Sequence, residues 1–200
     1  PISVDASENM TINAEGDLKI TGGALNGTVS VTDGTLNFTG KNIALNVPDL
    51  DGGTVTGVFA NGGTMNFKNE YTKLTVNSTN EHGANNYVVS SINGGAVNFD
   101  HAVDIYGSAT NNGVTGILVQ DKNSLFHAKD RVSIETVGGY QENGNYGMSV
   151  QAQGKAVFDG ALSVKGSGDT GPNVGVMVSR GGELEINDNL TIKVSGKNSK

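Results

Sequence analysis

The sequence contains no cysteine and no tryptophan, has three prolines in 200 residues, and nowhere carries an apolar run approaching the roughly 18 residues of a membrane helix. Absence of cysteine excludes disulfides, thiolate metal sites and cysteine nucleophiles. Aromatic residues make up only 6% of the chain and glycines number 30, so little bulk is available for one thick globular core. Such a chain must bury thin layers of small aliphatic side chains. Basic residues are also few: 13 against 20 acidic ones, a net charge of −7, with neither sign bunched into a run. No basic stripe is available for counterion release on a phosphate backbone, which argues against nucleic acid as a partner. No basic and apolar leader precedes Ile2, and the chain opens on Pro1. The expectation is therefore a mature or excised segment that does not itself insert into a membrane.

What is present is a repeat. Apolar, polar, apolar triplets occur at Leu36-Asn37-Phe38, Met65-Asn66-Phe67, Val97-Asn98-Phe99, Phe126-His127-Ala128, Ala156-Val157-Phe158 and Leu184-Glu185-Ile186, with first members 29, 32, 29, 30 and 28 residues apart. A second alternation follows each: Ile43 and Leu45, Leu74 and Val76, Val103 and Ile105, Val132 and Ile134, Leu162 and Val164, Leu190 and Ile192. A third comprises Val58 and Ala60, Val89 and Ser91, Ile117 and Val119, Met148 and Val150, Val176 and Val178. Period-two alternation marks half-buried strands. Three short strands cannot close a core alone, so successive units must stack, each strand pairing with its counterpart one coil away. The reading is an all-β chain, a parallel β-helix or β-solenoid, right-handed by the preference of parallel crossovers.

Residues 1–200 are read as one solenoid segment, with shorter coils over 1–50 and longer coils over 51–200. The shorter ruler rests on Met10 to Val29, 19 residues, and Leu18 to Leu36, 18 residues; later coils run to about 30. Gly62-Gly63, Gly94-Gly95, Gly154 and Gly181-Gly182 stand before the first strand of their coils, where corners need positive φ. The lengthening falls between the second and third strands, at Ser78 to Asn86, Gly107 to Asn112, Gly138 to Asn145 and Gly166 to Asn173. Because coils stack about 4.8 Å apart, insertions at one corner gather on one side. Glu81, His82, Asn85, Asn86, Tyr140, Gln141, Glu142, Asn145 and Asp169 are expected to project there as a candidate binding ridge.

Catalysis has no positive support. Asp100, Asp104, Asp130, Asp159 and Asp188 are the available carboxylates, but they fall at corners where a turn-former serves equally well. Aligning the coils puts Asp100 and Asp159 in one column with Lys129 and Asn187. His82, His101 and His127 lie at three unrelated places in the coil, as surface residues do. The chain has no G-x-S-x-G elbow, Walker lysine, EF-hand loop or nonapeptide calcium repeat, so no cofactor or metal ligand is assigned.

The lines Gly-Gly-Thr-Met-Asn-Phe (62–67), Gly-Gly-Ala-Val-Asn-Phe (94–99) and Val-Gly-Val-Met-Val (174–178) resemble the passenger repeats of bacterial autotransporters in repeat style. That resemblance implies a β-helix displayed on the bacterial cell surface, anchored through an outer-membrane barrel outside this segment. It also implies adhesion to a host surface protein or glycan, or self-association between passengers. Two alternatives are a structural stalk holding a functional tip, and a carbohydrate-active β-helix such as a polysaccharide lyase or a phage tailspike.

Overall fold

A computed structural model describes residues 2–23, 27–48, 53–79, 85–138, 144–168, 171–196 and 199. These form strands and turns with no helix, and the strands sort into three parallel sheets of seven. Sheet 1 takes the triplet strands: Asn9–Ala14, Thr35–Gly40, Thr64–Phe67, Ala96–Phe99, Leu125–Ala128, Lys155–Phe158 and Glu183–Ile186. Sheet 2 takes the second strand of each coil: Leu18–Thr21, Asn42–Val47, Tyr71–Ser78, Val103–Ala109, Val132–Gly138, Leu162–Gly168 and Leu190–Gly196. Sheet 3 takes Ile2–Asp5, Val29–Thr32, Thr56–Asn61, Asn86–Ile92, Val114–Gln120, Asn145–Gln151 and Asn173–Ser179. Each strand pairs with its counterpart one coil away, so the chain is a β-solenoid of about 6 turns with coils near 29 residues.

Two registers differ from the sequence reading. Met10 pairs with Leu36 and Leu18 with Ile43, so the first coil is 26 and 25 residues long at those positions rather than 18 or 19. Val29 belongs to sheet 3 and pairs with Ile2, so the shorter ruler measured between strands of different sheets. All three strands of a coil carry the same apolar alternation, and alternation alone does not say which sheet a strand joins. In sheet 2, Leu74 pairs with Leu45 and Ile105, two residues beyond the alignment with Ile43 and Val103. Thr72 fills the apolar slot instead, with its hydroxyl bonded to the buried Asn69. A two-residue slip keeps every side chain on its own face, so hydrophobic pattern cannot detect it.

The corner from sheet 3 to sheet 1 is a tight turn with two consecutive residues at positive φ. Asn93-Gly94, Ala152-Gln153 and Arg180-Gly181 occupy it, and an N–H to C=O bond closes each turn, as from Gly95 to Ile92 at 2.8 Å. This is the type I′ pattern, which Asn-Gly suits and Ala-Gln does not. The residue after the pair is glycine for a different reason. A Cβ on Gly95 would sit 2.3 Å from the Ala60 carbonyl oxygen, and one on Gly182 would sit 2.4 Å from that of Val150.

Inward side chains stack in columns. Phe38, Phe67 and Phe99 share one column of sheet 1 with ring centroids 4.9 and 4.5 Å apart and nearly parallel planes. Phe126 stands in the neighbouring column, opposite Val97, while Ala128 takes the place opposite Phe99. Phe158 then returns to the original column, and Ala156 lies beneath Phe126. The rings therefore tilt, with centroids 5.7 and 5.4 Å apart at those two steps. Each phenylalanine displaced from its column is matched by an alanine where a ring would otherwise sit, which preserves core volume.

Candidate functional site

Of the nine residues expected on a projecting ridge, Glu81, His82, Tyr140, Gln141, Glu142 and Asp169 lie outside the described residues. Asn85 is exposed. Asn86 and Asn145 do not project: both are fully buried, as are Asn112 and Asn173 at the equivalent corner. Asn145 accepts from the Val114 N–H at 3.3 Å, and its amide nitrogen meets the Gly138 carbonyl, the Ser167 carbonyl at 3.2 Å and Asn173 Oδ1 at 3.0 Å. Asn173 donates in turn to the Gly168 carbonyl at 2.8 Å. The amides bind main-chain groups where the chain passes from sheet 2 to sheet 3, a role that a reading of polar residues as surface misses.

Among the described residues, five ion pairs join charged side chains along the outside of sheets 1 and 2 and the corner between them. Lys129 reaches Asp100 at 2.7 Å and Asn187 donates to Asp159 at 2.9 Å, pairs that the aligned column anticipates. Asp159 also meets His127 Nε2 at 2.8 Å, and this bond, with that from Asn187, holds its carboxyl below the usual range. His101, at its corner, is exposed. Asp130 and Asp188 accept from the next backbone N–H, at Arg131 and Asn189, as turn residues do. Asp104 accepts from the Tyr71 hydroxyl at 2.5 Å and from Arg131 at 2.7 Å. Burial raises the Asp104 carboxyl, but those bonds and the charges of Arg131 and Lys73 outweigh it and leave it low. Burial first, then the bond to Asp104, pushes Tyr71 up to about 12. Among the described residues no group of three or more His, Asp or Glu is placed to hold a metal ion.

Sheet 3 is different. Its strands break strict alternation: Val88-Val89, Gly116-Ile117 and Gly147-Met148 are consecutive buried pairs. Two successive inward residues bend a strand. The glycines permit it, since a Cβ on Gly147 would lie 2.1 Å from Val164 and one on Gly116 would lie 2.5 Å from Ile134. The outward residues either side of the bend form a trough. Thr56, Tyr87, Thr115 and Tyr146 follow one another up one column; Phe59, Ser90, Leu118, Ser149 and Met177 follow up the next. Two adjoining clefts of ≈ 210 and ≈ 290 Å³ run along it and share Tyr87 and Leu118.

Compared with protein-family models, curated proteins and solved structures, the chain matches none. Assignment of a site therefore rests on geometry. The trough floor is sunken, with Ser90, Ser149, Leu118 and Thr115 between 2% and 8% exposed although they point away from the core. Asn85 stands at its rim; burial raises the Tyr87 phenol, and the Asn85 amide works against the rise. Among the described residues no charged side chain lines either cleft, whereas the cleft on sheet 2 carries Lys73, Asp104 and Glu135. Of the three expected ridge residues that are described, Asn85 joins this site. Tyr87 and Tyr146 were passed over because the pattern shows that they face outward but not that the face is concave. The broken alternation within the third strands, at Val88-Val89, Gly116-Ile117 and Gly147-Met148, is the signal that identifies it.

Proposed function

We propose that the chain is a non-catalytic adhesive segment of a bacterial autotransporter passenger, displayed on the cell surface through an outer-membrane barrel elsewhere in the protein. The trough on sheet 3 is its contact surface, engaging a host surface protein or glycan or a second passenger. The observation that carries this reading is the trough, uncharged among the described residues, with Asn85, Tyr87 and Tyr146 along it, set on a ladder of parallel strands. Tyrosine and asparagine supply broad contact and adaptable hydrogen bonding at modest entropic cost. The outer face of sheet 1 supports contact less well, because its asparagines are engaged with one another: Asn98 donates to Asn66 at 2.8 Å and Asn66 to Asn37 at 3.0 Å. That internal engagement also suits a stalk, the second reading.

The test is adhesion of beads coated with the purified chain to host cells and matrix, with sedimentation velocity in parallel. Saturable adhesion or concentration-dependent assembly is expected. A monomer that adheres to nothing would replace the adhesin reading with the stalk.

A further inference from the structure

Three properties of the trough bear on what it holds. Among the described residues it is uncharged, on a chain of net charge −7, so none of them selects an ion of either sign. It is hydroxylated along its floor: Ser90, Thr115 and Ser149 make no side-chain hydrogen bond among the described residues, yet none is sealed from solvent. Hydroxyls that reach solvent at the foot of a cleft can exchange water for the donors and acceptors of a ligand. It also offers aromatic groups at a regular interval, since Tyr87 pairs with Thr115 and Thr115 with Tyr146, which places the two tyrosines two coils apart. Two coils rise about 9.6 Å along the axis.

From these we propose that the trough binds a neutral, extended oligosaccharide lying along the solenoid axis, with sugar rings against Tyr87 and Tyr146 and ring hydroxyls bonded to Asn85, Ser90, Thr115 and Ser149. This rests on the adhesin reading and narrows its ligand. A polyhydroxylated chain fits a surface that mixes flat apolar rings with small polar groups. A sulfated or uronate glycan would lie against a negatively charged protein with no lysine or arginine among the described groove residues to receive it. An apolar peptide would leave the floor hydroxyls unanswered.

The experiment is binding of the full 200-residue chain to a panel of neutral, sulfated and uronate oligosaccharides, repeated with Tyr87→Ala, Tyr146→Ala and Tyr87→Phe, with far-UV circular dichroism confirming the fold. Neutral glycans are expected to bind saturably. Each alanine variant should weaken binding roughly two- to tenfold, the range an aromatic contact supplies. Tyr87→Phe should stay within about twofold, since the ring is kept. Raising sodium chloride from low to high should leave the affinity unchanged, because screening acts only between charges. Binding restricted to anionic glycans, affinity lost in salt, or full affinity in both alanine variants would each overturn the proposal. The bead assay separates the two levels of the argument. Beads that adhere equally to deglycosylated cells would identify a protein partner, leaving the adhesin reading intact and overturning the glycan.

Discussion

Exchanging Phe126 and Ala128 tests the core directly. In the structure both are fully buried, Phe126 opposite Val97 and Ala128 opposite Phe99. Phe126→Ala deletes a ring between Phe99 and Phe158, and large-to-small changes of this kind cost about 3 to 5 kcal/mol. Ala128→Phe forces a ring in beside Phe126 and should cost about 1 to 3 kcal/mol through overpacking. Were the sites independent, the double variant would lose the sum, about 4 to 8 kcal/mol. The register predicts otherwise, because a phenylalanine at 128 continues the column of Phe38, Phe67, Phe99 and Phe158 while total volume is conserved. A coupling energy of about 2 to 3 kcal/mol in favour of the double variant is expected, at the upper end for residues in contact. Guanidinium unfolding followed by circular dichroism on the four proteins measures it. Additivity within about 0.5 kcal/mol would show that the rings do not share one column and would refute the stacking register.

Four further outcomes follow from local geometry. Asn145→Ala should destabilise the chain by about 3 kcal/mol, since the main-chain groups it binds would be left buried without partners; a loss under about 0.5 kcal/mol by denaturant titration would contradict that role. Gln153→Gly should stabilise by about 0.5 to 1 kcal/mol, because Gln153 sits at φ 69° in a turn that glycine adopts freely; a lower unfolding midpoint would count against it. Tyr71 is raised from 10.0 to about 12 in the folded state, so the neutral phenol is the form that folding favours. Its contribution is therefore complete below pH 10.0 and lost as pH rises through about 12, and Tyr71→Phe should flatten stability across that window. Asp104 is depressed, so its contribution is present above its ordinary value of 3.8 and lost as pH falls through the lower folded value; Asp104→Asn should remove that acid dependence in denaturant titrations.

Most of the fold was legible because a strand's two-residue period and a coil's near-constant length reinforce each other over six turns. The triplet and third-strand alignments agree residue for residue with the observed pairing, as Val97 with Met65 and Ile117 with Met148 illustrate. What escaped depended on side-chain hydrogen bonding. Thr72 took an apolar position because Asn69 satisfies its hydroxyl, and Asn86 and Asn145 went inside because chain termini of adjoining strands need amide partners. The trough escaped for a geometric reason: concavity arises from how bent strands stack, and no single coil displays it. Of the three ridge residues that are described, Asn85 lines the trough while Asn86 and Asn145 are buried; the other six lie outside the described residues.

The most direct test of the account is a paired charge substitution. Thr115→Lys places an ammonium on the trough floor of sheet 3, and Ser163→Lys places the same group on the outer face of sheet 2, each on an intact strand. Bead adhesion should be lost with Thr115→Lys and retained with Ser163→Lys while both proteins keep the circular dichroism spectrum of the parent. Equal adhesion by the two variants would contradict the claim that sheet 3 is the contact surface.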